Sequence, residues 1–408
     1  MKKKRIRNIA IVVAILLVTN VITFWFGSVA AVSIPGMGVS TFKISKSLEG
    51  VNDVSKFKKM FEVRDLIYKL YDGEIDEDKL VEGAVKGMTN SLNDPYTVFM
   101  NEKEFADFNE RNEGSYVGVG LQVGVKGNDI IIISVFEGSP AAKAGVLPGD
   151  ILKKVNDTEV TGKESDKAVS MMKNGKAKEK ITLTLERAGK GTFTTDVYRD
   201  TITMETVKGE MLSKDVGYIQ LSMFDEHTGD AFNAKLKDLK GNGMKGLILD
   251  LRENPGGLLS ESLKVLSNFV EEGKVLTSTI DKYDAEKKYT STGGEYIGMP
   301  LVVLINENSA SASEIVAGVI RDYKIGTLVG TTTFGKGIVQ SVLKMNDGTG
   351  LKVTTSKYYT PNGENIHKKG IAPDVEVKIP EESRGTNLDR SKDPQFNKAL
   401  EIINEKIK

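Results

Sequence analysis

Three serines alternate with alanine directly after an apolar run, in a segment suited to nucleophilic chemistry. The run Leu301-Val-Val-Leu-Ile305 precedes Asn306-Glu-Asn-Ser-Ala-Ser-Ala-Ser-Glu-Ile315, and a helical pattern continues to about Tyr323. Reactive groups of α/β sheets usually stand where a strand ends and a helix begins. However, Ser311-Ala-Ser-Glu314 also fits a capping box, in which serine and glutamate satisfy free helix amides. The local pattern alone favours the cap, because most serines at helix starts are caps.

A lysine between two glycines is a candidate base. It lies in Gly335-Lys-Gly337, and Gln340 follows Lys336 by four residues, so both side chains fall on one face of a strand or helix. Burial disfavours the charged form of a lysine, and the neutral amine can then take a proton from a hydroxyl. The alternative is an ordinary surface lysine in a turn.

A third segment offers backbone hydrogen-bond donors. Asp250-Leu-Arg-Glu-Asn-Pro-Gly-Gly257 follows another apolar strand. Its glycine pair leaves N–H groups unshielded, as an oxyanion site requires, although turns after strands also use glycine routinely.

The composition limits the chemistry that these segments can do. The 408 residues include no cysteine, which excludes disulfides, thiolate metal sites and cysteine nucleophiles. Only two histidines are present, His227 and His367, so we expect neither a metal site nor a cofactor. Lys plus Arg and Asp plus Glu number 56 each, which gives nucleic acid no general attraction.

The elements that must position these residues are predicted to form a multidomain α/β protein. From residue 216, apolar strands alternate with amphipathic helices, which indicates a layered α/β core. Its strands are predicted at 217–221, 246–251 and 301–305, its helices at 230–239 and 258–270, and a hairpin at 338–345 and 351–359. Residues 116–199 are β-rich with glycine turns, residues 53–112 are mostly helical, and a short helix covers 394–408.

The N-terminus has the pattern of a membrane anchor. Residues 2–7 carry five positive charges, residues 8–42 carry none, and the apolar stretch 9–32 is long enough to cross a bilayer as a helix. Ser28-Val-Ala30 resembles a signal cleavage site, but this stretch is longer than the usual secretory h-region of about 7 to 15 residues. We expect an uncleaved, single-pass anchor with a cytoplasmic N-terminus and an extracellular body on a bacterial cell. Cleavage would instead give a secreted protein.

Four motifs, in order and spacing, resemble the carboxyl-terminal processing proteases of the S41 serine peptidase family. The resemblance covers about residues 80–379, and Ser311 precedes Lys336 by 25 residues, the separation that the family uses. It also includes Asn93-Asp-Pro-Tyr96 and outweighs the capping interpretation of Ser311. The motifs are Asp250-Leu-Arg-x-Asn-Pro-Gly-Gly257, Ser309-Ala-Ser-Ala-Ser-Glu314, Gly335-Lys-Gly-x-x-Gln340 and Tyr358-Tyr-Thr-Pro-Asn-Gly363.

The resemblance implies a ClpP/crotonase-like core and specific roles within it. It makes Ser311 the nucleophile, Lys336 the general base and Gln340 the group that orients the lysine amine. The implied oxyanion donors are the backbone N–H groups of Ala312 and Gly257, with Gly256 as the nearby alternative. Neither His227 nor His367 occupies a catalytic position of the family, so we expect both to be structural or surface residues.

The β-rich domain resembles a PDZ domain. Val117-Gly-Val-Gly-Leu-Gln-Val123 looks like its carboxylate-binding loop and following strand. The resemblance implies that Val117, Gly118, Val119 and Gly120 bind a peptide carboxylate while the peptide adds to the sheet edge. A protease with such a domain would select substrates by their C-termini.

These inferences give a five-part organisation and a function. We expect an anchor at 1–42, a helical region at 43–113, a PDZ domain at 114–200, an S41 core at 201–380 and a tail at 381–408. The expected protein is an exported, membrane-anchored serine endopeptidase acting on proteins or peptides with accessible C-termini, and the resemblance suggests a homodimer. The alternatives are a non-enzymatic, membrane-tethered PDZ adaptor and a hydrolase of small esters or cell-wall peptides.

Overall fold

The computed structural model describes residues 55–380 and 390–408. The predicted anchor lies outside these residues. Within the two described ranges, no helix is long and apolar enough to cross a membrane.

The chain divides into two compact units at Val81. In the described part of the first unit, helix α1 (Ser55–Leu70) is followed by the start of α2 (Glu77–Asn90). Arg64 donates to both carboxylate oxygens of Glu77, at 2.9 and 3.0 Å. This bidentate pair ties α1 to the first residue of α2.

The second unit, which starts at Glu82, opens with a short strand and a capped helix. Asn101 accepts a hydrogen bond from the Glu104 amide, and Glu104 accepts one from the Asn101 amide, which starts helix α3. Gly114 ends the helix in the left-handed conformation, with φ 64°. These elements are β1 (Val98–Met100) and α3 (Glu102–Glu113).

A β domain follows, formed by strands β2 to β9. Its main sheet has the order β3-β4-β5-β7-β8 with β6 on β5, so β3 is an edge strand, and β2 pairs separately with β9. Alternate residues of these strands, such as Ile130, Leu152 and Leu183, form its buried core. Its elements are β2 (Ser115–Gly118), β3 (Leu121–Lys126), β4 (Asp129–Val135), α4 (Pro140–Lys143), β5 (Ile151–Val155), β6 (Thr158–Glu159), α5 (Ser165–Lys173), β7 (Lys180–Arg187), β8 (Gly191–Tyr198) and β9 (Asp200–Thr203).

The core domain, residues 207–377 with the C-terminal helix, has the predicted alternation of strands and helices. Its main sheet has six strands in the order β10-β11-β12-β15-β16-β19, and all neighbours except β10 and β11 are parallel. The elements are β10 (Val207–Met211), β11 (Val216–Leu221), α6 (Thr228–Gly241), β12 (Gly246–Asp250), α7 (Leu259–Ser267), β13 (Val275–Asp281), β14 (Glu286–Thr290), β15 (Leu301–Ile305), α8 (Ala312–Tyr323), β16 (Thr327–Gly330), β17 (Ile338–Lys344), β18 (Gly350–Tyr359), β19 (Val375–Glu376) and α9 (Pro394–Lys406).

Both faces of this sheet are covered, which explains why its central strands are apolar throughout. Val303 and Ile305 of β15 pack in the cluster that includes α6, α7 and α8. Val302 and Leu304 point the other way, into the cluster with Phe396 of α9. Successive residues of a strand face opposite sides, so two helical layers require an unbroken apolar strand.

A second sheet lies in the same unit and includes the predicted hairpin. Its order is β1-β18-β13-β14, and β17 pairs with β18. The register between β17 and β18 shifts between Val339 and Gln340. Strand β1, which precedes the β domain in sequence, pairs with β18 of the core domain through Val98 and Lys352.

Candidate active site

The three alternating serines have different environments. Ser309 is fully buried, and its hydroxyl donates to the Leu251 carbonyl at 2.8 Å. Ser313 is also fully buried, and its hydroxyl donates to the Asn254 carbonyl at 3.0 Å. Ser311 is partly exposed at the start of α8. Of the three, Ser311 is therefore the serine that a substrate can reach.

The backbone of Ser311 is held in an unusual conformation. Its φ and ψ are 55° and −112°, a region that residues with a side chain rarely adopt and that costs about 1 to 3 kcal/mol. Its carbonyl accepts from the amides of Glu314 and Ile315, at 2.8 and 3.0 Å, and from the Tyr358 hydroxyl at 3.4 Å. The Ser311 amide donates to the Glu314 carboxylate at 2.9 Å. The Glu314 half of the predicted capping box is therefore present, whereas the Ser311 hydroxyl makes no capping hydrogen bond.

Glu314 joins the serine segment to the lysine segment. Its fully buried carboxylate accepts from the Ser311 and Lys336 amides on one oxygen, at 2.9 and 2.8 Å. The other oxygen accepts from the Gly335 amide at 2.7 Å and the Thr333 hydroxyl at 2.6 Å. Two amides that share one oxygen at these distances lie within about 6 Å of each other. The sequence suggested only a cap for Glu314, because its partners beyond α8 lie about 20 residues away.

Lys336 is partly buried and its amine has no carboxylate partner within the described chain. The amine lies 4.8 Å from the centre of the Tyr96 ring. Burial lowers the pKa of Lys336, and the nearby charge of Lys352 lowers it further, against weaker opposing effects of Glu314 and Asp94. The amine is therefore easier to deprotonate than an ordinary lysine.

Gln340 makes a different contact from the expected one. Its side-chain amide donates to the Thr354 hydroxyl at 3.2 Å, across the β17–β18 ladder. No hydrogen bond joins it to Lys336 in the structure as described. The predicted role of Gln340 in orienting the lysine amine therefore stays a prediction.

The oxyanion candidates lie beside Ser311. A Cβ added to Gly256 would stand 2.9 Å from both the Ala312 nitrogen and the Ser311 Cβ, so the glycine loop touches the start of α8. The Gly256 amide already donates to the Asn254 side chain at 2.9 Å, which removes the Gly256 alternative as a donor in this geometry. Neither the Ala312 amide nor the Gly257 amide has a hydrogen-bond acceptor among the described residues.

Gly257 has no room for a side chain. Its φ is 142°, and an added Cβ would lie 2.1 Å from the Phe224 carbonyl oxygen. Phe224 donates to Gly256 and accepts from Leu258, which fixes the backbone on both sides of Gly257. The glycine pair therefore serves two purposes, close approach to Ser311 and close approach to Phe224.

Asn254 lies in the predicted glycine segment, where its sequence position indicated no particular role. It is fully buried, and its side-chain amide donates to the Leu221 carbonyl at 2.9 Å. Its backbone carbonyl accepts from the Ala310 amide and the Ser313 hydroxyl, each at 3.0 Å. One residue thus connects the end of β11, the glycine loop and the serine segment.

The β domain has a groove between strand β3 and helix α5. The cavity measures about 280 Å³ and is lined by Tyr116, Val119, Gly120, Leu121, Gln122, Val123, Val169, Met172 and Lys173. Of the four predicted carboxylate-binding residues, Val119 and Gly120 line it. Val117 and Gly118 instead pair with β9.

The two histidines occupy different positions. His227 is exposed and directly precedes α6. His367 is partly buried next to Gly337, and its Nδ1 has no hydrogen-bond partner among the described residues. Across the same residues, no group of His, Asp or Glu has the arrangement of a metal site.

Comparisons with known proteins agree with this geometry. Residues 215–377 match Peptidase family S41, residues 117–197 match the PDZ domain, and residues 18–104 match the N-terminal domain of the activating protease CtpB. The carboxy-terminal processing protease CtpA of Bacillus subtilis is 39% identical over 338 residues, covering 83% of this chain and 72% of the relative. For CtpB of the same organism, identity is 37% over 332 residues, with 80% and 68% covered. A solved structure assigned to the S41 proteases, from Bacteroides fragilis, has 18% identity and a TM-score of 0.51, covers 82% of this chain and 92% of its own, and bears on the fold alone.

Proposed function

Because the chain belongs to peptidase family S41, whose carboxy-terminal processing members are serine-type proteases, we propose that it cleaves proteins near their C-termini through a Ser311–Lys336 dyad. The observation that carries this proposal is the Glu314 carboxylate, which binds the backbone amides of both residues on one oxygen. This shared carboxylate supports the proposal, because it keeps the backbones of an accessible serine and of a lysine without a carboxylate partner in the described chain close together.

The two residues divide the chemistry between them. The neutral amine of Lys336 takes the hydroxyl proton of Ser311 as its oxygen attacks the scissile carbonyl. The lysine then returns this proton to the leaving amine, which leaves an acyl-enzyme. The same amine activates a water that hydrolyses the ester, and Ser311 is regenerated.

The backbone supplies the charge stabilisation. The amides of Ala312 and Gly257 lack acceptors in the described structure; Ala312 directly follows Ser311, and Gly257 follows Gly256, whose backbone touches the start of α8. The Ala312 amide also stands at the N-terminus of α8, where the helix dipole favours negative charge. We propose these two amides as the oxyanion donors, each worth about 2.7 to 4 kcal/mol of barrier.

The PDZ domain is proposed to select substrates by their C-termini. Strand β3 is a sheet edge beside the groove, so an extended peptide can add to it as a further strand. Val119 and Gly120 line this groove, and their amides have no acceptor among the described residues. They are the proposed donors to the peptide carboxylate.

We further propose a ClpP/crotonase-like core, a single-pass anchor within residues 1–42, an extracellular body and a homodimer. The charge pattern of residues 2–42 supports the anchor and its orientation. Family membership argues against a non-enzymatic adaptor.

The test uses the full-length protein and an unstructured protein substrate. Ser311→Ala should abolish cleavage, while Ser222→Ala, at an exposed serine, should cleave like the wild type. Cleavage by Ser311→Ala at the wild-type rate would refute the dyad.

A second experiment tests selection by the PDZ domain. Amidating the substrate C-terminus should weaken binding and leave the chemical step unchanged; equal binding of the amidated substrate would refute C-terminal selection. Equal or higher rates on small esters or muropeptides would favour the hydrolase alternative.

A further inference from the structure

The segment before β1 reaches the proposed active site from a distant part of the sequence. Within it, Asp94 accepts a hydrogen bond from the Tyr96 amide at 3.0 Å. The other carboxylate oxygen of Asp94 accepts from the Thr97 hydroxyl at 2.6 Å. These two bonds fix a turn around Pro95 and set the directions of the Tyr96 and Thr97 side chains.

Thr97 connects this turn to the hairpin of the core domain. Its buried hydroxyl oxygen accepts from the Thr354 amide of β18 at 3.1 Å. The Thr354 hydroxyl in turn accepts from the Gln340 side chain at 3.2 Å. A continuous hydrogen-bond chain therefore runs from Asp94 through Thr97 and Thr354 to Gln340, where the β17–β18 register shifts.

Tyr96 covers the amine of Lys336. The amine lies 4.8 Å from the ring centre, and the tyrosine is partly buried. An aromatic ring at this distance excludes water from one side of the amine. It also attracts the charged form by a cation–π interaction of about 0.5 to 2 kcal/mol, so the ring both dehydrates and orients the group.

Three other charged groups act on the amine from elements packed around it. Glu314 lies on α8, Lys352 on β18 and Asp94 on the same turn as Tyr96. The charge of His367, which follows β18, lowers the pKa of Asp94. Any pH test of Tyr96 must therefore hold these groups constant.

We propose that Tyr96 is a positioning residue of the active site, which orients and dehydrates the Lys336 amine, and that the Asp94–Thr97 turn holds its ring in place. This inference rests on the proposed Ser311–Lys336 dyad. A purely structural role would require only that the turn attach β1 to the hairpin. If Tyr96 is a positioning residue, removing its ring changes kcat and the pH dependence that Lys336 gives to the reaction. If its role is purely structural, removing the ring changes only stability.

The experiment compares Tyr96→Ala, Tyr96→Phe and Tyr96→Leu in the full-length protein. Steady-state cleavage of a peptide gives kcat and KM from pH 6 to 10, and thermal unfolding reports the fold. Tyr283→Ala, at an exposed tyrosine of the β13–β14 hairpin, is the matched control.

Tyr96→Ala should lower kcat by about tenfold or more, with little change in KM, because a misplaced base slows the chemical step. The acid limb of its pH profile should also move: water that returns to the amine favours its charged form, whereas loss of the cation–π interaction disfavours it, so the direction of the move shows which effect of the ring is larger. Tyr96→Phe should retain wild-type kcat and the wild-type limb, since the Tyr96 hydroxyl has no hydrogen-bond partner among the described residues. Thr97→Val, which breaks the hydrogen-bond chain, should give a smaller loss of kcat.

A folded Tyr96→Ala with wild-type kcat and an unmoved limb would overturn the inference, even if its unfolding temperature fell. If that variant does not fold, the smaller change Tyr96→Leu decides: reduced kcat supports the inference, and wild-type kcat overturns it. Lys336→Ala separates this outcome from failure of the dyad. If Lys336→Ala is inactive while Tyr96→Ala behaves as wild type, only the Tyr96 inference fails; if Lys336→Ala is active, the proposed function fails.

Discussion

Lys336 and Arg252 are two basic residues of the core domain that are shielded from water, one without carboxylate partners among the described residues and one with two. The Arg252 side chain is 14% exposed and donates to Asp250 and Asp393, each at 2.7 Å. It also reaches Gln395 at 3.0 Å, and so joins the end of β12 to the start of α9. The Lys336 amine meets the face of Tyr96 and no carboxylate within the described chain.

The presence or absence of carboxylate partners decides whether a buried basic group in this fold keeps its proton or becomes easier to deprotonate. Burial lowers the pKa of both groups, but Asp250 and Asp393 overcome it at Arg252 and raise the pKa above its ordinary value. At Lys336 burial dominates and the pKa falls. A buried cation with paired carboxylates keeps its proton, whereas one without them gives it up more readily. The first suits structure and the second suits catalysis.

The largest expected effect comes from changing Lys336. Lys336→Ala should lower kcat/KM by a factor on the order of 10³ or more, because the proposed dyad would lose one of the two groups that act together. Lys336→Arg should not restore activity, since a guanidinium stays charged. Both variants should fold with at most a small loss of stability, because no ion pair is lost and the contact of the amine with the Tyr96 ring is worth about 0.5 to 2 kcal/mol. An active Lys336→Arg would break the comparison, because it would show that a neutral base is not needed.

Arg252→Ala should act on stability. Its removal takes away the cation that both buried carboxylates, Asp250 and Asp393, bind directly, which costs about 3 to 5 kcal/mol. Urea unfolding followed by fluorescence or circular dichroism measures this change. A loss below about 1 kcal/mol would mean that the Arg252 cluster is not the fixed ionic junction described above.

Glu314→Gln should cause an intermediate loss. The carboxylate accepts four hydrogen bonds, and an amide replaces one accepting oxygen by a donor that faces N–H or O–H groups. We expect kcat to fall by about 10²-fold as the Ser311 and Lys336 segments separate. Wild-type kcat in this variant would show that the shared carboxylate does not set the dyad geometry.

Lys352→Met should have the smallest effect. The positive charge of Lys352 lowers the pKa of Lys336, so its removal should raise that pKa. If Lys336 acts in its neutral form, as proposed, the acid limb of kcat/KM should move slightly to higher pH. A shift to lower pH would contradict the assigned electrostatics. Lys357→Met, at an exposed lysine of the same strand, is the control.

The fold was predictable from the sequence where a pattern is local. The apolar run 301–305 is a strand with the predicted limits, because burial on both faces leaves a continuous signal. The helix predicted at 258–270 ends at Ser267, although Phe269 and Val270 remain buried beyond it. Strands β13 and β14 were not predicted, since their residues include many polar side chains whose pairing depends on β18.

The site was predictable only in part, for the same physical reason. The motif spacing predicted Ser311 and Lys336 as a pair, but the partners that hold their backbones lie elsewhere in the chain. The four donors to Glu314 come from two segments, and Gln340 bonds to Thr354 in the opposite strand. No local pattern encodes such contacts. The bond from the Gly256 amide to the Asn254 side chain, which occupies that candidate oxyanion donor, is likewise a contact that the motif does not reveal.

The pH dependence of Ser311 modification by a fluorophosphonate tests most directly whether the neutral amine of Lys336 activates Ser311. The wild-type rate should rise with pH through an apparent pKa below that of an ordinary lysine. The limb should disappear in Lys336→Ala and stay unchanged in His367→Asn, which alters the histidine nearest to Gly337. A limb that persists in Lys336→Ala, or moves with His367→Asn, would contradict the account.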